Sequence, residues 1–200
     1  MAITHTTPAD GTFSSAGTTA WNADHTGNCE VVASDAPNQD FDLTTAGGGG
    51  AVTIISESIT GITARDQIIL EAWVTTLNNS GGATIVYTHT FSLGTVSVTA
   101  VGTVGQAAHA SNRASRKFSA CAAVTSSSSA SAQVAEVGGN PSAANGAANL
   151  GGQFSCQGWN TSGNDATGTQ TLIWTVTPSA ASGTQTLTLH SYTIRKISTL

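Results

Sequence analysis

The stretch DQIILEAWVTTLNNSGGATIVYTHTFSLGT, Asp66 to Thr95, decides how the rest of the chain is read. In its first half Ile68, Leu70, Ala72 and Val74 alternate with Ile69, Glu71, Trp73 and Thr75. In its second half Ile85, Tyr87, His89 and Phe91 alternate with Val86, Thr88 and Thr90. Successive side chains on a strand point to opposite faces, so each run makes a ribbon with two distinct faces. Between them, Asn78-Asn79-Ser80-Gly81-Gly82 supplies residues that tolerate the positive φ of a tight reversal. The expectation is an antiparallel hairpin and, with it, an all-β architecture.

The composition agrees. At 200 residues the chain is long enough for one domain with a real core. Charged residues make up only 8%, far below the usual quarter, and the net charge is −5. Disordered chains pair few apolar residues with high charge, whereas this one is 39% apolar with the apolar residues in periodic runs. Thr and Ser must therefore solvate the exposed strand faces. Lys117 and Lys196 are the only lysines, so sheet edges need shelter from loops, from closure or from neighbouring subunits. That favours an oligomer or lattice component over a solitary monomer.

Other classes are disfavoured. Six basic residues, four of them in the pairs Arg116-Lys117 and Arg195-Lys196, make no nucleic-acid footprint. No apolar stretch approaches a membrane span, and MAITHTTPADGTF has neither the basic nor the apolar region of a secretory signal. Cys29, Cys121 and Cys156 are odd in number and far apart, which reads as buried reduced thiols.

Residues 1–28 carry no sustained period, only isolated anchors at Phe13 and Trp21. They read as an extended attachment arm that docks its aromatics on its own domain or on a partner. From residue 29 to 200, strand-sized runs recur at Cys29–Ala33, Ala51–Glu57, Gln67–Leu77, Ala83–Leu93 and Thr95–Val101. They continue at Ser115–Val124, Gln153–Gln157, Thr169–Thr177 and Gln185–Ile197. Short strands with regular turn signals mean a β-sandwich or barrel. The last two runs open with the same five residues, Gly168–Leu172 and Gly183–Leu187, as strands under similar constraints would. In the final run Leu187 and Leu189 share one parity, while Tyr192, Ile194 and Lys196 share the other. A β-bulge near His190-Ser191 would bring both sets to one face. The low-complexity stretch from Thr125 to Gly152 reads as a long surface loop.

Candidate chemistry is sparse. The five histidines form no metal-ligand spacing, and His89 belongs with Ile85, Tyr87 and Phe91 as an interior or interface residue. Asp35, Asn38, Asp40 and Asp42 put oxygen ligands in one loop, although not at EF-hand spacing. Asp66 reads as a turn cap. No serine stands in a Gly-x-Ser-x-Gly elbow, and Gly47–Gly50 lacks the Lys-Ser/Thr of a phosphate loop. No enzymatic activity and no cofactor are expected. Trp174 shares a parity with Leu172 and Val176 and reads as core, while Trp159, in a Gln-Gly-Trp-Asn turn, is the aromatic best placed to meet a sugar.

The opening THTTPADGTFSSAGTTAWNADHTG (Thr4–Gly27) followed by a compact all-β domain resembles small virion structural proteins of tailed bacteriophages. LEAWVTTLNNSGGATIVYTHTFSLGT (Leu70–Thr95) and TLIWTVTPSAASGTQTLTLHSYTIRKI (Thr171–Ile197) are similar to the jelly-roll domains of those proteins. The resemblance implies an antiparallel β-sandwich of jelly-roll type, commonly a homotrimer, attached to the particle through its N-terminal segment. It implies no catalytic residues. The partners expected are other copies of the chain and a major capsid or other virion protein, with assembly in the host cytoplasm. With no heptads, collagen-like triplets or repeat arrays for a stalk, a capsid decoration or head-protrusion role is preferred. A tail-fibre or tail-tip module binding a host glycan is the alternative. Phe13, Trp21 and Trp159 are the partner-binding candidates.

Overall fold

The computed structural model describes residues 29–44, 50–79, 84–101, 106, 108, 113–126, 129–139, 154–156, 166–181 and 183–198. Its elements are strands: β1 (Glu30–Asp35), β2 (Gln39–Asp42), β3 (Val52–Ile62), β4 (Gln67–Asn79), β5 (Tyr87–Leu93) and β6 (Val96–Val101). They continue with β7 (Arg113–Ser126), β8 (Ser129–Gly139), β9 (Phe154–Cys156), β10 (Gly168–Pro178) and β11 (Thr184–Ile197). All pairings are antiparallel, and they nest: β1 with β11, β3 with β10, β4 with β7, β5 with β6. Alternate pairs fall in opposite sheets. The larger sheet runs β1-β11-β4-β7-β8-β9, with β2 also on β11, and the smaller runs β3-β10-β5-β6. A nested ladder rolled so that its pairs alternate between two layers is a jelly roll. The expected all-β jelly-roll sandwich is what the chain forms.

One expectation fails. Asp66–Thr95 is not a hairpin: β4 lies between β11 and β7, and β5 lies between β10 and β6, so neither has an edge left for the other. The connection between them carries the chain from one sheet to the other. Both strands keep the faces read from their alternation. Ile68, Leu70, Ala72 and Val74 are buried on β4, and Tyr87, His89, Phe91 and Leu93 on β5. In a hairpin those faces would lie side by side; here they face each other across the core. Asn78 accordingly is no turn residue. It is buried near the end of β4, and its amide donates to the Gln106 carbonyl at 2.7 Å.

The core fills the space between the sheets with Leu172, Trp174 and Val176 of β10, Leu187, Leu189 and Ile194 of β11, and the Ala-rich inner face of β7. Phe118 of β7 stacks on Trp174 across the sandwich, centroids 4.1 Å apart and planes within 9°. Burying each such large side chain contributes roughly 1.5–3 kcal/mol. Trp174 donates its indole N–H to His89 Nδ1 at 3.2 Å, so both are the interior residues their parity indicated.

The predicted bulge is present. The β11–β4 register shifts between Leu189 and Ser191, and Leu187, Leu189 and Ile194 are all buried. His190, at the bulge, faces the break between β1 and β2. Its Nδ1 bonds Asn38 Oδ1 at 2.8 Å and its Nε2 bonds Thr75 Oγ1 at 3.0 Å, while Asn38 itself takes a positive φ of 45°. Two irregularities therefore sit side by side and stabilise each other. The repeated pentapeptides also behave alike. Leu172 and Leu187 are fully buried, and the Gln170 and Gln185 amides each donate to a carbonyl just upstream, Thr167 and Ala180.

Three further readings change. Ser129–Gly139 is a strand on β7 rather than part of a loop. Asp40 and Asp42 lie on β2, so the four oxygen-bearing residues do not share one loop. Cys29 is exposed and Cys121 half-buried, both as free thiols; neither is the fully buried thiol expected, although burial does push the Cys121 thiol up. Asp66 caps its turn as expected, accepting from the Thr63 N–H at 2.8 Å. The edges find some shelter within the chain. The β1–β2 edge carries Glu30, Asp35, Asp40 and Asp42, and β3 has register shifts near both ends with Glu57 turned to Tyr192 between them.

Candidate functional site

Polar chemistry gathers in two places, one inside the sandwich and one on the outer face of the larger sheet. The inner one centres on Arg116, which is only 5% exposed because it shares the inner parity of β7 with Ala114 and Phe118. Its Nε donates to Thr76 Oγ1 at 3.1 Å and its Nη2 to Gln106 Oε1 at 3.4 Å, and its guanidinium lies 5.3 Å from the Tyr87 ring centroid. The Thr76 hydroxyl donates onward to Gln106 Oε1 at 2.5 Å, and the Gln106 amide returns a bond to the Thr76 carbonyl at 2.9 Å. Gln106 is itself held by a two-way backbone bridge to Ile85. A buried charge is tolerable only when hydrogen-bonded. The network satisfies that condition and ties β4, β5 and β7 together.

The outer cluster is built by register. On β4, Glu71 and Trp73 point away from the core because Leu70, Ala72 and Val74 point into it. Trp73 lies opposite Lys117 of β7 on one side and Ser191 of β11 on the other; Glu71 lies opposite Ser119 and Thr193. Lys117 Nζ bonds Glu71 Oε1 at 2.6 Å, and Arg195 Nη2 bonds Glu71 Oε2 from the other side. The Lys117 hydrogen bond holds the Glu71 carboxyl below its usual range, against partial burial, and the charges of Lys117 and Arg195 add to the effect. Lys117 Nζ also sits 6.0 Å from the Trp73 ring centroid. Trp73 is 52% exposed, and with Val31 it is one of two large hydrophobic side chains exposed among the described residues. Farther along the same face, Arg113 reaches across β4 to the Thr188 hydroxyl at 2.6 Å, and Thr188 donates to Asp40.

Phe13, Trp21 and Trp159 lie outside the described residues, as do Asn160-Thr161-Ser162 and the arm as a whole. Among the described residues no group of three His, Cys, Asp or Glu side chains has a metal-binding arrangement. The residues that do converge, Glu71, Trp73, Lys117 and Arg195, were not singled out from the sequence. The available signal was parity: Glu71 and Trp73 alternate with core residues, so their exposure was legible. Their neighbours were not, because Lys117 and Arg195 reach Glu71 over 46 and 124 residues of chain.

No family model and no curated protein matches the chain. Several solved structures are similar to it. One is that of infectious bursal disease virus, Gt strain, at 9% identity and a TM-score of 0.39, covering 85% of this chain and 32% of that one. Another is the VP2 subviral particle of infectious bursal disease virus, at 14% identity and 0.39, covering 85% and 33%. A third is an engineered GH43 glycoside hydrolase, at 8% identity and 0.28, covering 75% and 36%. The chain thus spans about a third of the length of the solved chains it matches. At these TM-scores a viral and an enzymatic neighbour carry equal weight for function, which is none.

Proposed function

We propose that the chain is a structural component of a virus particle, a jelly-roll subunit of the capsid-decoration or head-protrusion kind that grips the particle through residues 1–28. The observation that carries this reading is the filled interior. Trp174, Phe118, Phe91 and their aliphatic neighbours occupy the space between the sheets. The buried Arg116 is spent on holding Thr76 and Gln106. Such a body is a packing unit, and whatever it does it does with its surfaces and its arm. The resemblance of Thr4–Gly27 and of the two quoted jelly-roll stretches to tailed-phage virion proteins supplies the setting.

The mechanism is multivalent attachment. Each arm, with Phe13 and Trp21 as anchors, adds a modest buried contact, and joining arms through one oligomer raises the effective concentration at the remaining sites. The test mixes particles lacking the protein with the purified full chain or with a chain lacking residues 1–28, then sediments the particles. The full chain is expected to co-sediment and the truncated one to remain soluble while keeping its fold and oligomeric state. Co-sedimentation of the truncated chain at the same level would remove the arm from the mechanism.

A further inference from the structure

We propose that the outer face of the larger sheet around Trp73 is a binding site for an acidic sugar, a pyranose carrying a carboxylate, with Trp73 as the stacking platform and Lys117 as the carboxylate-binding group. The inference stands apart from the arm and holds whether or not the arm attaches the chain to a particle.

The platform comes first. Trp73 sits on β4, flanked by β11 and β7, so its backbone is fixed by hydrogen bonds on both sides. Its indole is half-exposed, and the outward residues beside it are mostly small: Ser191 opposite on β11, Thr75 two residues on, and Ser115 and Ser119 on β7. An aromatic surface with low hydroxyl-bearing walls suits a ligand that is apolar on its ring face and polar at its rim. A pyranose has that form. Rigid placement on a central strand is also what a binding constellation needs.

Charge then selects among sugars. Glu71 brings one negative charge to the cluster, and Lys117 and Arg195 bring one positive charge each, so the cluster bordering Trp73 carries a surplus positive charge on a chain of net charge −5, with Lys117 the cation nearest the ring. Glu71 is the hydrogen-bond partner of both cations among the described residues, and at Lys117, the cation beside Trp73, that leaves two N–H groups for a ligand. Glu71 thereby acts as a positioning residue, holding the two cations on either side of itself. A carboxylate approaching Trp73 meets the Lys117 ammonium, 6.0 Å from the ring centroid and already oriented by Glu71.

The test uses the full chain and a panel of oligogalacturonides and sialyl-oligosaccharides, each beside its carboxyl-reduced neutral counterpart, with titration calorimetry as the readout. At least one acidic member is expected to bind, more tightly than its neutral form by about tenfold, and to weaken with added salt. Trp73→Ala should lower that affinity by about tenfold and Trp73→Phe should restore most of it. Lys117→Gln should abolish the preference for the acidic form while leaving stacking on the neutral one. Unchanged thermal unfolding of the variants serves as the control for folding. The proposal is overturned if no member of the panel binds, if neutral forms bind as tightly, or if Trp73→Ala binds like the parent. It is equally overturned if the tryptophan emission that Trp73→Phe removes is shielded from acrylamide in the ligand-free full chain, since a second copy of the chain would then occupy the face.

Discussion

Arg116 and Lys117 are neighbours on β7, and a single peptide bond sends them to opposite environments. Arg116 turns into the sandwich, where a hydroxyl, an amide carbonyl and an aromatic face receive its charge. Lys117 turns outward, 40% exposed, and meets a carboxylate 2.6 Å away. The closer, oppositely charged contact is the weaker contributor to stability. Water screens the outer pair and would solvate either partner alone, whereas the inner groups have no substitute for one another. Position on the pleat, rather than the strength of the visible contact, sets what each residue is worth.

The sharpest way to break that comparison is to truncate both. Arg116→Ala is expected to cost about 3 kcal/mol in denaturant unfolding, because it opens a cavity and takes one donor from each of the Thr76 and Gln106 side-chain oxygens. Arg116→Met keeps the stem volume and is expected to cost about half as much. Equal losses for Arg116→Ala and Lys117→Ala would mean that burial does not separate the two sites.

Tyr192 offers an intermediate case, since its hydroxyl leaves β11 in the larger sheet to donate to Glu57 Oε1 on β3 in the smaller one at 2.6 Å. Burial, then the Glu57 hydrogen bond, then the charges of Glu57 and Asp35 push the phenol up to about 12. A folded-state value above the ordinary 10 means that the contribution is intact below pH 10 and is lost as pH rises through about 12. Tyr192→Phe should cost about 1.5 kcal/mol at neutral pH and flatten that alkaline loss. Tyrosinate absorbance followed during alkaline unfolding would check it; parent and variant losing stability in parallel would place the loss elsewhere.

Much of this was legible because period two is a strong signal. The faces of β4, β5, β7 and β10 follow from alternation alone, and the jump in parity between Leu189 and Tyr192 located the bulge. Alternation reports which way a side chain points and not which strand lies next to it. A hairpin and a crossing between sheets therefore have the same pattern, and an Asn- and Gly-rich stretch between two strands is compatible with either. The strand β8 was hidden because its inner positions include Ala130 and Ala132, buried yet too small to stand out from their serine-rich surroundings. In β2 only Phe41 is apolar, and the strand exists because β11 offers it an edge. Arg116 shares its inward parity with Phe118, so its burial was legible from alternation alone. The site around Trp73 needed register across three strands, which no local pattern contains.

The smallest effect belongs to the outer pair, and it sharpens the comparison most because it predicts a near-null with a defined pH signature. Glu71 has a folded-state pKa below its ordinary 4.5, so its contribution is complete above about pH 4.5 and is lost as pH falls through the lower folded value. With its side chain 31% exposed, screening keeps that contribution below about 1 kcal/mol. A double-mutant cycle of Lys117→Ala and Glu71→Gln at pH 7 should give a coupling of about 0.5 kcal/mol, shrinking in 1 M salt and vanishing once both states are protonated. A coupling of several kcal/mol, insensitive to salt, would make the outer pair behave like the inner network. The contrast between the two faces of β7 would then collapse. A weak and salt-sensitive coupling would leave Lys117 held in place at little energetic cost, which is the condition a ligand needs if it is to recruit that ammonium without unfolding anything.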